Sequence, residues 1–341
     1  MARRPCTRAT AGLRFGLLCE NLRMAIRIRA HAKINLNLRV LGRRPDGYHD
    51  LSTVFQALAL HDLLAFEPRP GPFAINCSEP GVPVDSTNLV WQAADRLWQH
   101  LRRDGPVRDV EARMDKRIPM KAGLGGGSAD AAATLLALAR LWEPDLPADT
   151  LVGLGKELGA DVPFFFTGGA ALGLDRGDDI HPLPDLPSFD VLLAFPPFDV
   201  STADAYGWLD EDRGRAGGLG PAASVLPAQY VPGCSWPPAS CEVVNDFETV
   251  VSRRHPQIAE IVAALRAAGA AAAMTGSGSA VFGLFARQDA RSKINRVHVP
   301  GGEGDAPAQA AGVLAARGLF TERTRTLTRA EYSAAAAPAC L

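Results

Sequence analysis

The chain has 341 residues, of which 47% are hydrophobic and 21% are charged, so it is long enough for two domains with cores of their own. Its formal net charge of −1 leaves no excess of positive charge for nucleic acid or an anionic membrane, and we expect neither as a partner. No apolar run approaches the roughly 20 residues of a membrane span. The scattered cysteines show no zinc-type spacing, which favours reduced thiols and a cytoplasmic location.

The first 23 residues are rich in arginine and contain a single acidic residue, Glu20. This composition is typical of a targeting segment or a basic arm, and it also fits a mis-assigned start with Met24 as the initiator. We favour the mis-assigned start, because a clear strand pattern begins at residue 26.

Residues 26–41 alternate between apolar and polar side chains, which predicts a half-buried strand. Lys33 and Asn35 are therefore neighbours on its polar face. Lysine is common on a solvated strand face, whereas asparagine is poor in strands, so a solvated face and a functional pair both stay open.

The turn at residues 42–47 precedes Tyr48 and His49, and an aromatic ring beside a turn suits stacking on a base. Read alone, His49 is more typical of a hydrogen-bonded surface residue. Further strands are predicted at 51–60, 62–66, 73–77 and 107–114, and a helix capped by residues 85–88 is predicted to reach about residue 103.

Residues 116–142 form the most distinctive stretch, a glycine loop followed by a predicted apolar helix. Ser128 is predicted to be the N-cap of this helix, and Asp130 suits its positive end. Backbone N–H groups of such a loop, flanked by Lys116 and Lys121, are typical of a cradle for nucleotide phosphates. The alternative is a tight turn before a buried helix. The spacing matches neither the P-loop of the Gly-x-x-x-x-Gly-Lys-[Ser/Thr] class nor the Rossmann pattern.

Asp161 lies in an apolar run, residues 159–166, where a carboxylate needs a partner. It is either the N-cap of a Pro-led turn or a catalytic base paired with a lysine, and both interpretations stay open. Prolines at 182, 184 and 187 mark the predicted domain boundary. Beyond them the sequence predicts strands at 191–195 and 321–327, helices starting at 201 and 245 and spanning 258–268 and 309–317, and loops at 211–240 and 298–308.

A second Gly/Ser loop, within residues 274–285, would be a hairpin turn if read alone. Together with residues 32–36 (Ala-Lys-Ile-Asn-Leu) and 119–132, it resembles the three motifs of the GHMP kinases, a family named after galactokinase, homoserine kinase, mevalonate kinase and phosphomevalonate kinase. Residues 44–49, Arg-Pro-Asp-Gly-Tyr-His, are similar to the branch that phosphorylates 4-diphosphocytidyl-2-C-methyl-D-erythritol in non-mevalonate isoprenoid synthesis.

The resemblance implies an α+β, two-domain fold, with a ribosomal-protein-S5-like N-terminal domain and a ferredoxin-like C-terminal α/β domain. The domains would be residues 24–187 and 188–341, after an extension at 1–23. The enzyme would be an ATP-dependent kinase of the bacterial cytoplasm, acting on this small molecule as a monomer or a homodimer.

The resemblance also implies residue roles. Asp161 would be the base that takes the proton of the accepting hydroxyl, and Lys33 would keep it ionised. Mg²⁺ would bridge the β- and γ-phosphates of ATP, with Ser128 as a contact. The implied ATP-binding residues are Asn88, Lys116, Pro119, Met120, Lys121, Ala122, Gly123, Leu124, Gly125, Gly126, Gly127 and Ser128. The implied substrate-binding residues are Asn35, Tyr48, His49, Phe55, Thr202, Gly276, Ser277 and Gly278.

The sequence departs from the family's motifs at three positions, and two rival functions stay open. Lys121 stands where the family often has a small residue and is a candidate for an added phosphate contact, while Thr275 and Ser279 replace commoner choices. One rival is a GHMP kinase for a small alcohol such as homoserine or mevalonate, which would need no aromatic platform like Tyr48 and His49. The other is a nucleotide-binding regulator without chemistry, against which Lys33 and Asp161 together argue.

Overall fold

A computed structural model describes residues 25–215, 243–287 and 305–340 of the chain. The predicted extension at 1–23, the suggested initiator Met24 and most of the predicted loops at 211–240 and 298–308 lie outside these residues. No helix within the described ranges has the length and apolar character needed to cross a membrane.

The first part of the chain builds an eight-stranded sheet around a long antiparallel hairpin. Its register shifts on both sides of Lys33 and Asn35, so the ladder is irregular where these two side chains emerge. The strands that this part contributes are β1 (Ile26–Arg43), β2 (His49–Pro72), β3 (Ala74–Cys77), β4 (Arg108–Asp115), β5 (Ala170–Leu174) and β6 (Asp179–Pro182). The hairpin is β1 and β2.

Helices cover this sheet because their small and apolar side chains pack against its inner face. Phe55, Leu64 and Phe66 of β2 share one buried cluster with helix residues such as Val90 and Leu135. The helices are α1 (Leu89–His100), α2 (Gly126–Trp142), α3 (Ala148–Leu158) and the short α4 (Phe164–Thr167).

The second part of the chain builds a four-stranded antiparallel sheet in the order β11-β7-β10-β9. These strands are β7 (Phe189–Phe195), β9 (Ala271–Met274), β10 (Val281–Ala286) and β11 (Phe320–Arg325), and the accompanying helices are α5 (Thr202–Arg215), α6 (Asp246–Arg254), α7 (Gln257–Ala267) and α8 (Ala306–Ala315). The short β8 (Val244–Asn245) pairs with β1. Ile34 and Leu58 of the first sheet are buried in one cluster with Phe189 and Phe282 of the second, so the two sheets share a core.

The last described residues return to the first sheet. Helix α9 (Arg329–Ala336) buries Tyr332, whose hydroxyl donates a 2.6 Å hydrogen bond to the carbonyl of Phe165, and β12 (Ala339–Cys340) pairs with β1. Neither element is predicted from the sequence. The chain passes from β6 to β7 near the predicted boundary at residues 187 and 188, and the assignment of the whole of 188–341 to one domain stays a prediction.

Three local expectations are wrong. Helix α2 begins at Gly126 and is capped by Gly125 in the left-handed conformation (φ 71°), so Ser128 lies inside its first turn. Of the two interpretations left open for Asp161, the N-cap is wrong, because α4 begins only at Phe164, after Pro163. The expected loop from residue 211 is helical as far as Arg215.

Candidate active site

The glycine loop lies against the second Gly/Ser loop, and its glycines are required for that contact. A Cβ atom on Gly123 (φ 76°) would overlap the carbonyl oxygen of Thr275, and one on Gly125 would come within 2.9 Å of the Phe165 ring and 3.1 Å of the Lys33 side chain. Thr275 also reaches the carbonyl of Gly123 with its hydroxyl, at 3.4 Å. Close packing of backbone against backbone thus explains the glycines here.

A cavity of about 360 Å³ opens on one side of this loop. It is lined by every residue implied for ATP binding, from Asn88 and Lys116 to the whole stretch 119–128. The Asn88 side chain is occupied as the α1 cap, where it accepts from Val90 N at 2.8 Å and donates to Pro83 O at 2.6 Å. Asn88 therefore shapes the cavity mainly by fixing the start of α1.

Lys116 is buried beneath the loop between two carboxylates, Asp62 and Asp130. It donates to both, at 2.7 Å to Asp130, and Asp62 also accepts the backbone N–H groups of Arg117 and Ile118. Burial acts to lower the pKa of Lys116, but the charges of Asp130 and Asp62 outweigh it and the pKa is raised. Burial raises the pKa of Asp130, against the attraction of Lys116. This triad holds the loop to β2.

A larger cavity of about 980 Å³ opens on the other side of the loop, and it contains the implied catalytic pair. Lys33 Nζ lies 3.2 Å from Asp161 Oδ2 and donates a 2.8 Å hydrogen bond to Asn35 Oδ1. The Lys33 side chain is 3% exposed, whereas that of Asp161 is 36% exposed. Asp161 occupies the turn between α3 and α4, so its carboxylate faces the cavity with Lys33 beside it.

Asn35 joins the Lys33–Asp161 pair to the second Gly/Ser loop. Its amide oxygen accepts from Gly276 N at 3.0 Å, and its backbone N–H donates to Thr275 Oγ1 at 3.1 Å. Asn245, the cap of α6, donates to the carbonyls of Met274 and Gly276 from the other side. The loop is therefore fixed from both parts of the chain, and the polar face of β1 is not a solvated one.

Of the other residues implied for substrate binding, Phe55, Thr202 and Ser277 line the large cavity, whereas Gly278 does not. Phe55 lies under Lys33, whose Nζ is 5.5 Å from the ring centroid. Thr202 and Ser277 line the cavity and their hydroxyl groups are 3.1 Å apart. Gly278 does not line it and packs against Met274.

Aromatic rings line another part of the large cavity. His49 is buried and stacks on Tyr206 with ring centroids 4.6 Å apart, and its Nε2 lies 2.8 Å from Asp210 Oδ1. Tyr48 is 58% exposed, and the Arg176 guanidinium lies 5.4 Å from its ring centroid. An exposed ring and a stacked pair on one cavity provide a surface for a planar ligand.

Sequence reasoning missed Tyr206 and Asp210, both on α5. A signal was present, since Thr202, Tyr206 and Asp210 recur every four residues and so share one helix face. Burial raises the pKa of Tyr206 to about 12, with smaller contributions from Asp161 and Asp210, so its hydroxyl is neutral at physiological pH.

The two cavities share one wall. Gly123, Gly125 and Ser128 line both of them, so the glycine loop stands between the first cavity and the Lys33–Asp161 pair of the second. The Ser128 hydroxyl is an oxygen donor at this junction. Mg²⁺ in kinases takes few protein ligands and completes its shell with phosphate oxygens and water, so this donor fits it. No group of three or more His, Cys, Asp or Glu side chains forms a metal site within the described ranges.

Two family models and many relatives match this chain. Residues 88–169 match the family described as GHMP kinases N terminal domain, and residues 239–298 match GHMP kinases C terminal. A 4-diphosphocytidyl-2-C-methyl-D-erythritol kinase of Solibacter usitatus is 44% identical over 266 residues, which cover 77% of this chain and 82% of the relative.

Solved structures give the same result. A 4-(cytidine 5'-diphospho)-2C-methyl-D-erythritol kinase superimposes with a TM-score of 0.64 at 32% identity, over 88% of this chain and 98% of that one. A homoserine kinase from Cytophaga hutchinsonii, 19% identical, has a TM-score of 0.62 over 96% of this chain and 100% of its own, a likeness of fold alone. The expected two-domain α+β fold is confirmed. The chain therefore belongs to the GHMP kinase family, within the branch of the 4-diphosphocytidyl-2-C-methyl-D-erythritol kinases.

Proposed function

We propose that this chain transfers the γ-phosphoryl group of ATP to the 2-hydroxyl of 4-diphosphocytidyl-2-C-methyl-D-erythritol. The observation that carries the proposal is the glycine loop as the common wall of two cavities, with Lys33 and Asp161 on the side away from the nucleotide cavity. Such an arrangement suits phosphoryl transfer, in which positioning and charge neutralisation supply most of the rate.

The nucleotide occupies the smaller cavity in this proposal. The N-terminal N–H groups of α2 and the loop backbone bind its phosphates, and Lys121 adds positive charge at the rim. The Ser128 hydroxyl would hold Mg²⁺ together with the phosphates, and the ion would supply neutralisation of the phosphate charge. Asn88 shapes the end of this cavity at which the adenosine binds.

The acceptor alcohol occupies the larger cavity. Asp161 takes the proton of the 2-hydroxyl as that oxygen bonds to the γ-phosphorus, and the bond from the phosphorus to the β-phosphate oxygen breaks to release ADP. Lys33 stabilises the ionised Asp161 and lowers the charge on the moving phosphoryl group. Asn35 keeps Lys33 in place.

The cytosine ring is proposed to bind between the exposed Tyr48 ring and Tyr206, beside His49. The 980 Å³ of this cavity and its aromatic lining favour a nucleotide-linked acceptor over a small alcohol such as homoserine. The cytoplasmic location and the choice between monomer and homodimer stay predictions.

A substrate panel tests the proposal. The purified full chain is given ATP, Mg²⁺ and each of three alcohols, namely the cytidyl substrate, homoserine and mevalonate, and ADP release is measured with ³¹P NMR of the product. We expect a new phosphomonoester only with the cytidyl substrate. Phosphorylation of homoserine or mevalonate but not of the cytidyl substrate would contradict the proposal, as would ADP release without a phosphomonoester.

A further inference from the structure

A histidine and a carboxylate meet across the large cavity from different parts of the chain. His49 is the first residue of β2, whereas Asp210 belongs to α5. Their contact, Nε2 to Oδ1, is 2.8 Å long, and the His49 side chain is only 7% exposed. Tyr206 stacks on one face of the imidazole ring with 4.6 Å between centroids, so the ring is held at its edge by Asp210 and on one face by Tyr206.

The carboxylate defines which nitrogen of His49 carries the proton. An ionised carboxylate only accepts hydrogen bonds, so Nε2 must donate, and in the neutral imidazole Nδ1 is then an acceptor. Nδ1 has no hydrogen-bond partner among the described residues. It is also not one of their polar atoms that are fully buried without a partner, so it is accessible from outside the protein. The His49 ring lines the large cavity, so this acceptor is available to a ligand there.

We propose that Asp210 is a positioning residue that fixes His49 as the Nε2–H tautomer, so that Nδ1 accepts a hydrogen bond from the exocyclic amino group of cytosine. The inference rests on the proposed function, because it assumes a cytidine-type ligand in this cavity. It assigns base selectivity to a residue that takes no part in phosphoryl transfer.

Selectivity follows from the chemistry of the two pyrimidines. Cytosine carries an amino donor at the position where uracil carries a carbonyl acceptor. An acceptor fixed at Nδ1 pairs with the amino group and opposes the carbonyl, and sites built on such a pairing reject the mismatched ligand. Asp210 itself is oriented by Arg43, whose guanidinium lies 3.9 Å from its second oxygen.

The alternative is that His49 and Asp210 only tie the two parts of the chain together. A mere tie would change stability and would affect cytosine and uracil ligands equally. The ratio of the two affinities therefore separates a positioning role from a structural one.

Asp210→Asn is the test variant, because the amide N–H can donate to Nε2 and so shift the proton to Nδ1. Glu211→Gln is the matched control: it neutralises the next carboxylate of α5, which pairs with Arg254 at 3.0 Å and does not line the cavity. Dissociation constants for CDP and UDP are measured by calorimetry on each full chain, and ¹⁵N NMR of the histidine rings reports the tautomer.

We expect the wild-type chain and the control to bind CDP at least about tenfold more tightly than UDP, and this ratio to fall at least about tenfold in Asp210→Asn. Asp210→Glu, which keeps a carboxylate, should retain most of the preference even if the amide variant folds poorly. A preference for CDP that survives in Asp210→Asn overturns the inference alone. A wild-type chain that binds neither nucleotide, or both equally, overturns the proposed cytidyl acceptor as well.

Discussion

Lys121, beside the glycine loop, has a backbone conformation that its side chain does not favour. Its φ of 54° lies in the left-handed region, where a residue with a Cβ is strained by roughly 1 kcal/mol. The side chain is 74% exposed, lines the smaller cavity and has its Nζ 3.6 Å from Asp199, itself 63% exposed. An exposed pair of this kind contributes little to stability, so the charge is better explained by a ligand than by the fold.

Replacing Lys121 by glycine should therefore separate stability from nucleotide binding. The relief of backbone strain and the greater freedom of glycine in the unfolded chain roughly cancel, so the free energy of unfolding should change by less than about 1 kcal/mol. The KM for ATP should rise about fivefold, equivalent to about 1 kcal/mol. Urea unfolding and steady-state kinetics measure the two quantities.

Asp199→Asn is the control for this variant, because it removes the ion-pair partner and leaves the charge of Lys121. It should leave the KM for ATP unchanged or slightly lower. If Lys121→Gly kept the KM for ATP within twofold of the wild-type value, Lys121 would have no part in nucleotide binding.

At the scale of elements, the buried triad under the glycine loop contains two unequal carboxylates. Asp62 accepts hydrogen bonds from Lys116 and from two backbone N–H groups, whereas among the described residues Asp130 accepts only from Lys116 and its Oδ1 has no partner. One lysine cannot neutralise both acids. Asp62 therefore connects β2 to the loop, and Asp130 is the carboxyl that burial keeps protonated more readily.

The two carboxylates should respond differently to replacement by asparagine. Asp62→Asn leaves a buried lysine without its main partner and should lower the free energy of unfolding by about 3–5 kcal/mol. Asp130→Asn keeps the shape and the Lys116–Asp62 pair and removes the cost of burying an acid whose pKa is raised, so it should leave the free energy of unfolding at pH 7 unchanged or raise it. Urea unfolding of the two variants, which serve as each other's control, measures the difference.

The same carboxyl gives a pH dependence with a definite sign. Because the pKa of Asp130 is raised above the value of about 3.9 in the unfolded chain, the folded chain holds the extra proton and its stability falls as the pH rises from about 4 towards the folded pKa. Asp130→Asn should flatten this fall. A slope of unfolding free energy against pH that is identical in both proteins would show that Asp130 is ionised throughout.

The sequence correctly predicted the elements that depend on residues close together in the chain. The alternation in β1 placed Lys33 and Asn35 on one face, and the glycine spacing predicted the loop before α2. Ser128 was wrongly predicted as the cap because the left-handed Gly125 starts the helix earlier. A cap and a base were equally good interpretations of Asp161, since its 3.2 Å contact with Lys33 joins residues distant in the chain. For the same reason the sequence did not reveal Tyr206, Asp210 or α9, whose roles depend on contacts between residues distant in the chain.

At the scale of the whole molecule, the candidate site belongs to neither part of the chain alone. The first sheet provides Lys33, Asn35 and His49, and the second part provides the loop at Gly276 and the α5 residues that meet them. The returning helix α9 supports the segment after Asp161 through the hydrogen bond of Tyr332 to Phe165. The relative position of the two parts therefore determines the shape of the large cavity.

The most direct test is the Asp161→Asn variant, measured for both turnover of the cytidyl substrate and ATP affinity on the same preparation. Asp145→Asn, at an exposed aspartate outside both cavities, is the control. Loss of the base across the shared wall should lower turnover about a thousandfold, while the ATP dissociation constant stays within about threefold. Turnover within about tenfold of wild type, equivalent to about 1.4 kcal/mol, would contradict the assignment of Asp161 as the base.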